Sequence, residues 1–385
     1  MNLSKPDEED RLKFYEKIEK NSCLLRENKT LDCLIPDEIN YIADINDSLG
    51  KKNKWLIVRR LGFSLSTSCP QSIQDAYQNG DLGLLPRGGV AVPIQSITTN
   101  IMTRGRIFCF LPLPLETGLP IHVNGHFALE HEARRNLWTD EEKGYRSAWN
   151  NHLINDIIAP SYALALLKMR DELDLQTGRP DKKRQLNRKL NLFHSYLPNF
   201  GEAKSDYIRL IVCSFYRWIF LHEIPLFPFM TSICQDDAIV QFVPLACRKT
   251  SFPCVYNSLE EQESFETAGD MSSGISDRVK NLKEKSKKKS PNDHSDLVHM
   301  FKRLGIKLLS FPKHVLRGLK QAEIEIKAIS PTFVLLFLKS YNSAEDGSCH
   351  LKAVDKMVNE TVFQNMVNVK NASNIAKAVI HSTMN

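Results

Sequence analysis

The chain has 385 residues, 42% of them hydrophobic and 25% charged, with a formal net charge of +6. This is the balance of an ordinary soluble globular protein with about two or three domains, and so modest a basic excess gives no reason to expect nucleic acid as a partner. The nine cysteines are odd in number and contain no CxxC pair, which excludes a zinc ribbon and a disulfide framework and points to buried, reduced thiols in a cytoplasmic protein.

The first ten residues carry no apolar run, so they do not read as a signal peptide, and the N-x-S/T sequons at Asn28, Asn46, Asn359 and Asn371 are then accidental. Residues 6–45 are charged, with Leu12, Tyr15 and Ile18 at mixed helical spacing; they predict a short helix, with a break at Pro36. The segment 54–60, Lys-Trp-Leu-Ile-Val-Arg-Arg, predicts a strand. A weak helix follows over 71–79, with Asn79-Gly80 as its turn. The two glycines at 88 and 89 then open a strand that runs to Pro93.

Residues 105–138 are the most distinctive stretch. Arg106 to Leu111 predicts a strand ended by Pro112 and Pro114. A second strand opens at Pro120, with Asn124-Gly125 as a turn or bulge before Phe127, Ala128 and Leu129. A basic elbow, Ala133-Arg-Arg-Asn-Leu-Trp138, closes the stretch. Its pieces, FCFLPLP, GLP, HVNGHFAL and ARRNLW, closely resemble a signature inside the large repeats of the sacsin family. Looser likenesses lie at Ile224-Pro-Leu-Phe-Pro228, Leu304-Gly-Ile-Lys-Leu308 and Ile329-Ser-Pro-Thr-Phe333. Those repeats are similar to ATP-driven heat-shock chaperones of the GHKL superfamily. In the family a nucleotide-binding domain precedes the part that this chain resembles, so the chain reads as a truncated paralogue or as a fragment.

Further along, 141–170 predicts a helix that Pro160 should bend or split. Residues 181–191 are basic and exposed, 207–222 is the strongest later helix, and 239–246 is a short strand. Within 208–230, Arg217, His222, Glu223 and two prolines argue against a membrane span. The Glu-, Ser- and Lys-rich residues 257–296 predict a flexible linker. Residues 297–306 and 330–339 predict short helices, and the rest is a tail. The expected fold is α+β, a mixed α/β core followed by helical segments and a linker. Its divisions are 1–54, an N-terminal helical extension; 55–256, the core; 257–296, the linker; 297–340, a small helical segment; and 341–385, the tail.

No catalytic constellation stands out. Glu132 and Asn136 fit the ExxxN of GHKL ATPases by letter, but no DxGxG follows, and no GxxxxGK[ST] occurs. The chain is therefore expected not to bind ATP alone, and no cofactor is assigned. His122 and His126 have an HxxxH spacing, which could hold zinc only on a continuous helix; Asn124-Gly125 between them speaks against one, and no metal is expected. The resemblance implies a phosphate-contact role for Arg134 or Arg135, since the heat-shock middle domain lends an arginine to its nucleotide. A structural elbow is the other reading, with Arg135 turned inward and Trp138 largely buried. What the resemblance implies overall is a cytoplasmic chaperone or co-chaperone module. Its partners would be protein clients or heat-shock chaperones, with no nucleic acid and no membrane. A middle domain completing a nucleotide site in trans, or a scaffold without chaperone action, are the alternatives.

Overall fold

The computed structural model describes residues 5–46, 52–64, 68–94, 105–130, 136–138, 144–175, 183–230, 240–245, 254–256, 307–309, 311–324 and 326–328. They fall into two compact units, Met1–Leu245 with Pro312–Glu325, and Ala246–Phe311 with Ile326–Asn385.

The first unit opens with α1 (Lys5–Asn28) and is built on strands β1 (Asp37–Asn46), β2 (Lys52–Leu61), β3 (Arg87–Ile94), β4 (Arg106–Cys109), β5 (Leu111–Glu116) and β6 (His122–Gly125). These make one mixed six-stranded sheet in the order β1-β2-β3-β6-β4-β5. All neighbours are antiparallel except β4 and β6. Directly paired residues point to the same face of a sheet. Leu56, Val58, Val90, Val92, Ile107 and Val123 therefore line one face, and none is more than 2% exposed. Tyr41, Ile57, Arg59, Ala91, His122 and Phe108 share the other.

The apolar face is covered by a long helix with an irregular middle. It comprises α3 (Tyr145–Leu153), a π-helical turn (Ile154–Ile158) and α4 (Ala159–Glu172). Pro160 neither splits nor stops it. In an α-helix the Asp156 carbonyl would await an N–H that proline lacks. Here the turn before Pro160 widens by one residue, so that the Ala159 N–H reaches back to the Ile154 carbonyl. Ile157 and Ile158 of that turn press on β3 at Gly88, where a Cβ would fall 2.9 Å from Ile158 Cδ1. Any larger residue there would push the helix off the sheet.

Behind this helix lie α5 (Lys183–Ser195), α6 (Asp206–Leu221) and α7 (Lys313–Gln321). Ser205 caps α6 by accepting from the Ile208 N–H. Three fully buried tyrosines lace the layers together. Tyr162 donates to Tyr196 O at 2.7 Å, Tyr196 to Pro93 O at 2.7 Å, and Tyr216 to Pro198 O at 2.9 Å. Gly318 lets α7 lie on α6, since a Cβ there would stand 2.2 Å from the Tyr216 ring. A small antiparallel pair, β7 (Phe227–Met230) and β8 (Val240–Val243), completes the unit.

The second unit shows β9 (Cys254–Tyr256) flanked in parallel by β10 (Lys307–Leu309) and β11 (Lys327–Ala328). The expected linker, the helices over 297–306 and 330–339, and the tail lie outside the described residues.

Several expectations are corrected. Residues 1–54 hold a long helix and also β1, an edge strand of the main sheet, rather than a helical extension alone. Pro112 and Pro114 do not end a strand. They sit within β5, which turns back on β4 at Phe110 and forms the other edge of the sheet, where a missing N–H is tolerated. Asn124 and Gly125 belong to β6 rather than to a turn. Among the described cysteine side chains none is buried: Cys23 is exposed, and Cys33, Cys69, Cys109 and Cys213 are half-buried. Cys23 lies off the stripe Phe14, Ile18, Asn21 and Leu25 that α1 turns inward.

Candidate functional site

Among the described residues, the second face of the sheet is only partly covered. α1 lies across β1 and β2, holding Arg59 beneath the rings of Phe14 and Tyr15 at 5.2 and 5.0 Å, and its Arg11 stacks on Tyr41 at 5.2 Å. Beyond α1 the face opens into a cavity of about 510 Å³. Its far wall is the β4–β5 turn, where Phe110 stacks on Arg87 at 5.0 Å and meets His126 edge-on at 5.4 Å. Its floor is β3 and β6.

The cavity is lined by cations and aromatic rings. Arg59, Arg60, Arg87, His122 and His126 all border it, and no carboxylate does among the described residues. Arg60 is matched by Glu38 at 3.1 Å. Arg59 and Arg87 take part in no salt bridge among the described residues; their neighbours are rings. Burial, and after it the charge of Arg59, pushes Arg87 below its ordinary pKa. Burial opposes ionisation of the Tyr15 phenol, yet Arg59 and Arg11 outweigh it and bring Tyr15 below the usual phenol value. Both shifts report the same thing, a concentration of positive charge in a half-enclosed place.

The two histidines are neutral fittings of the wall. His122 stacks on Trp55 at 5.0 Å, and its Nδ1 accepts the Arg106 N–H at 3.0 Å. His126 Nδ1 accepts the Leu85 N–H at 2.9 Å. Burial and then Arg87 lower His126 to about 4. The HxxxH spacing thus spans a strand and its exit rather than a helix. Among the described residues no group of three or more His, Cys, Asp or Glu side chains is placed to hold a metal.

The depressed histidines give a pH dependence with a definite sign. His126 and, in α5, His194 are both lowered to about 4, the latter by burial and by His314. The unfolded chain therefore binds more protons than the folded one between about pH 6.5 and 4, and stability is lost as pH falls through that window. Urea midpoints should fall steadily on acidification over this range. The His126→Gln and His194→Gln proteins should show a shallower slope. Identical slopes in all three would refute this origin.

The elbow that the sequence singled out is only partly described. Leu129 and Leu137 form an antiparallel bridge, while Glu132, Arg134 and Arg135 lie outside the described residues. Asn136 is exposed, and its Nδ2 donates to Glu130 at 3.0 Å. Trp138 is half-buried rather than largely buried, with the Arg146 guanidinium 4.5 Å from its ring. The tryptophan that is fully buried is Trp149. Sequence reasoning missed Arg59, Arg87 and Tyr15 as site residues. The usable signal was an arginine beside paired glycines on one strand and an Arg-Arg pair on its neighbour.

No protein-family profile matches this chain, and no solved structure matches it. Sacsin from Homo sapiens is 50% identical to it over 134 residues, which is 34% of this chain and 3% of that protein. The chain thus spans a very small part of that relative's length. No helix among the described residues is long and apolar enough to cross a membrane. Over 34% of its length the chain is therefore a relative of sacsin.

Proposed function

We propose that this chain is a sacsin-like chaperone or co-chaperone module that binds protein clients or heat-shock chaperones in the cytoplasm, without an ATPase of its own. The observation that carries this reading is the β4–β5 tip. Phe110 and Leu111 are 68% and 74% exposed, side by side. Phe110 also adopts a φ of 62°, a left-handed conformation that favours Gly or Asn. A bulky ring held there costs of order 1 kcal/mol in backbone strain and recovers little by burial. An exposed ring held at that cost is placed to touch something outside the molecule.

The test is suppression of light scattering by a heat-denatured test enzyme. The intact chain should suppress it. Phe110→Asn with Leu111→Ser should lose most of that effect, with melting unchanged or slightly raised. Full suppression by the doubly substituted protein would overturn the reading.

A further inference from the structure

We infer that the cavity between α1 and the β4–β5 turn is a binding site for a ligand that carries one oxyanion, carboxylate or phosphate, on a flat unsaturated body. This goes beyond client holding at the tip and can fail or succeed separately from it.

The argument begins with the two arginines. A guanidinium offers five N–H donors and keeps its charge at any physiological pH. Arg59 and Arg87 come from adjacent strands and both border one cavity, without a carboxylate among its described lining residues. Half-buried cations are ordinarily matched by an acid, as Arg60 is by Glu38. Arg59 and Arg87 are instead matched by ring faces; Arg59 also hydrogen-bonds the Tyr15 hydroxyl, and the stacked Arg87 keeps an N–H edge to bond an oxyanion.

The floor supports the same conclusion. Gly89 of β3, paired with Arg59 of β2 and with Asn124 of β6, carries no side chain, so the cavity stays deep between the arginines. A Cβ there would stand 2.0 Å from the Val58 carbonyl, so the position is closed to larger residues. Asn124 adds an amide at the same level. The remaining walls, Tyr15, Tyr41, Phe108, Phe110 and His122, are flat rings suited to stacking on an unsaturated body. The volume of about 510 Å³ falls among small-molecule sites rather than protein-sized patches.

Calorimetry on the full chain with four probes tests this: phenyl phosphate, benzoate, inorganic phosphate and benzyl alcohol. Phenyl phosphate or benzoate should bind, and whichever is tighter names the oxyanion. Inorganic phosphate should be weaker for lack of stacking, and benzyl alcohol should give no heat. Arg87→Gln should weaken the charged aromatic probe by about tenfold or more. Because Arg59 also supports α1, the second variant is Ala91→Glu, which brings a carboxylate to the cavity face. It should abolish binding while the protein melts no lower than the unsubstituted chain. Binding of neither charged aromatic probe, equal binding of benzyl alcohol, or binding indifferent to both substitutions would overturn the assignment.

Discussion

Replacing Trp149 by alanine is expected to lower the free energy of unfolding by about 3–5 kcal/mol, the usual range for removing a large aromatic from a core. Its ring is fully buried, meets Phe63 and Tyr77 edge-on at 5.4 and 5.9 Å, and its Nε1–H donates to the His126 carbonyl at 2.9 Å. Alanine would leave a void at the start of the covering helix and an unmatched carbonyl at the end of β6. Phenylalanine separates the two contributions, because it keeps most of the volume and loses the donor. It should cost about 1–3 kcal/mol. Urea unfolding followed by circular dichroism reads both. A loss below about 1 kcal/mol for alanine would mean that the helix is not anchored here.

The second large effect is expected next door. Asn150 is fully buried, accepts the Ala128 N–H at 2.8 Å and donates to the Ala128 carbonyl at 3.0 Å. It also reaches the Trp138 carbonyl at 3.5 Å. One side-chain amide thus stands in for a strand neighbour along the chain that leaves β6. Asn150→Leu has nearly the same volume but strands the Ala128 N–H, at about 1–3 kcal/mol, while the Ala128 carbonyl keeps the Trp138 N–H at 2.9 Å. A loss of about 1–3 kcal/mol is expected, with faster hydrogen exchange at the Ala128 amide and, as that strand exit loosens, at the Trp138 amide. Asn150→Asp should be no milder at neutral pH, since an acceptor would then face two carbonyls. Unchanged exchange at both amides would show that the elbow is held by something else.

The parts legible in the sequence were those with local punctuation. β2 stands out as a compact apolar run, the helix α2 (Gln71–Asn79) ends at Gly80 in a left-handed conformation, and β3 begins at the glycine pair. The parts that were not legible depend on partners. β1 does not stand out as a strand because Asp37, Glu38, Asn40, Asp44 and Asn46 interrupt it, yet Ile39, Tyr41 and Ala43 alternate correctly under α1. α7 is a short helix whose existence rests on its fit to Tyr216. The tryptophans teach the same lesson. Trp138 looks like the centre of a rare motif, but Trp149 is in phase with Leu153 and Ile157 on the inward side of its helix. The site itself was hidden for a related reason. Arg59 and Arg87 are far apart in sequence, and only the β2–β3 register turns them to one face. Arg134 and Arg135, singled out by resemblance, lie outside the described residues.

The prolines of β5 have a consequence for self-association. An apolar tip at the edge of a sheet is a template on which a second chain could add a strand, and a third after it. Pro112 and Pro114 are two residues apart, so they fall on the same side of the β5 backbone, and a residue with no N–H cannot be donating to β4 there. The side they blunt is the outward one. An incoming strand would find two missing donors in the six residues of β5 and could not continue a ladder. The apolar tip of Phe110 and Leu111 can therefore stay exposed at high concentration while the backbone beside it refuses to seed fibres.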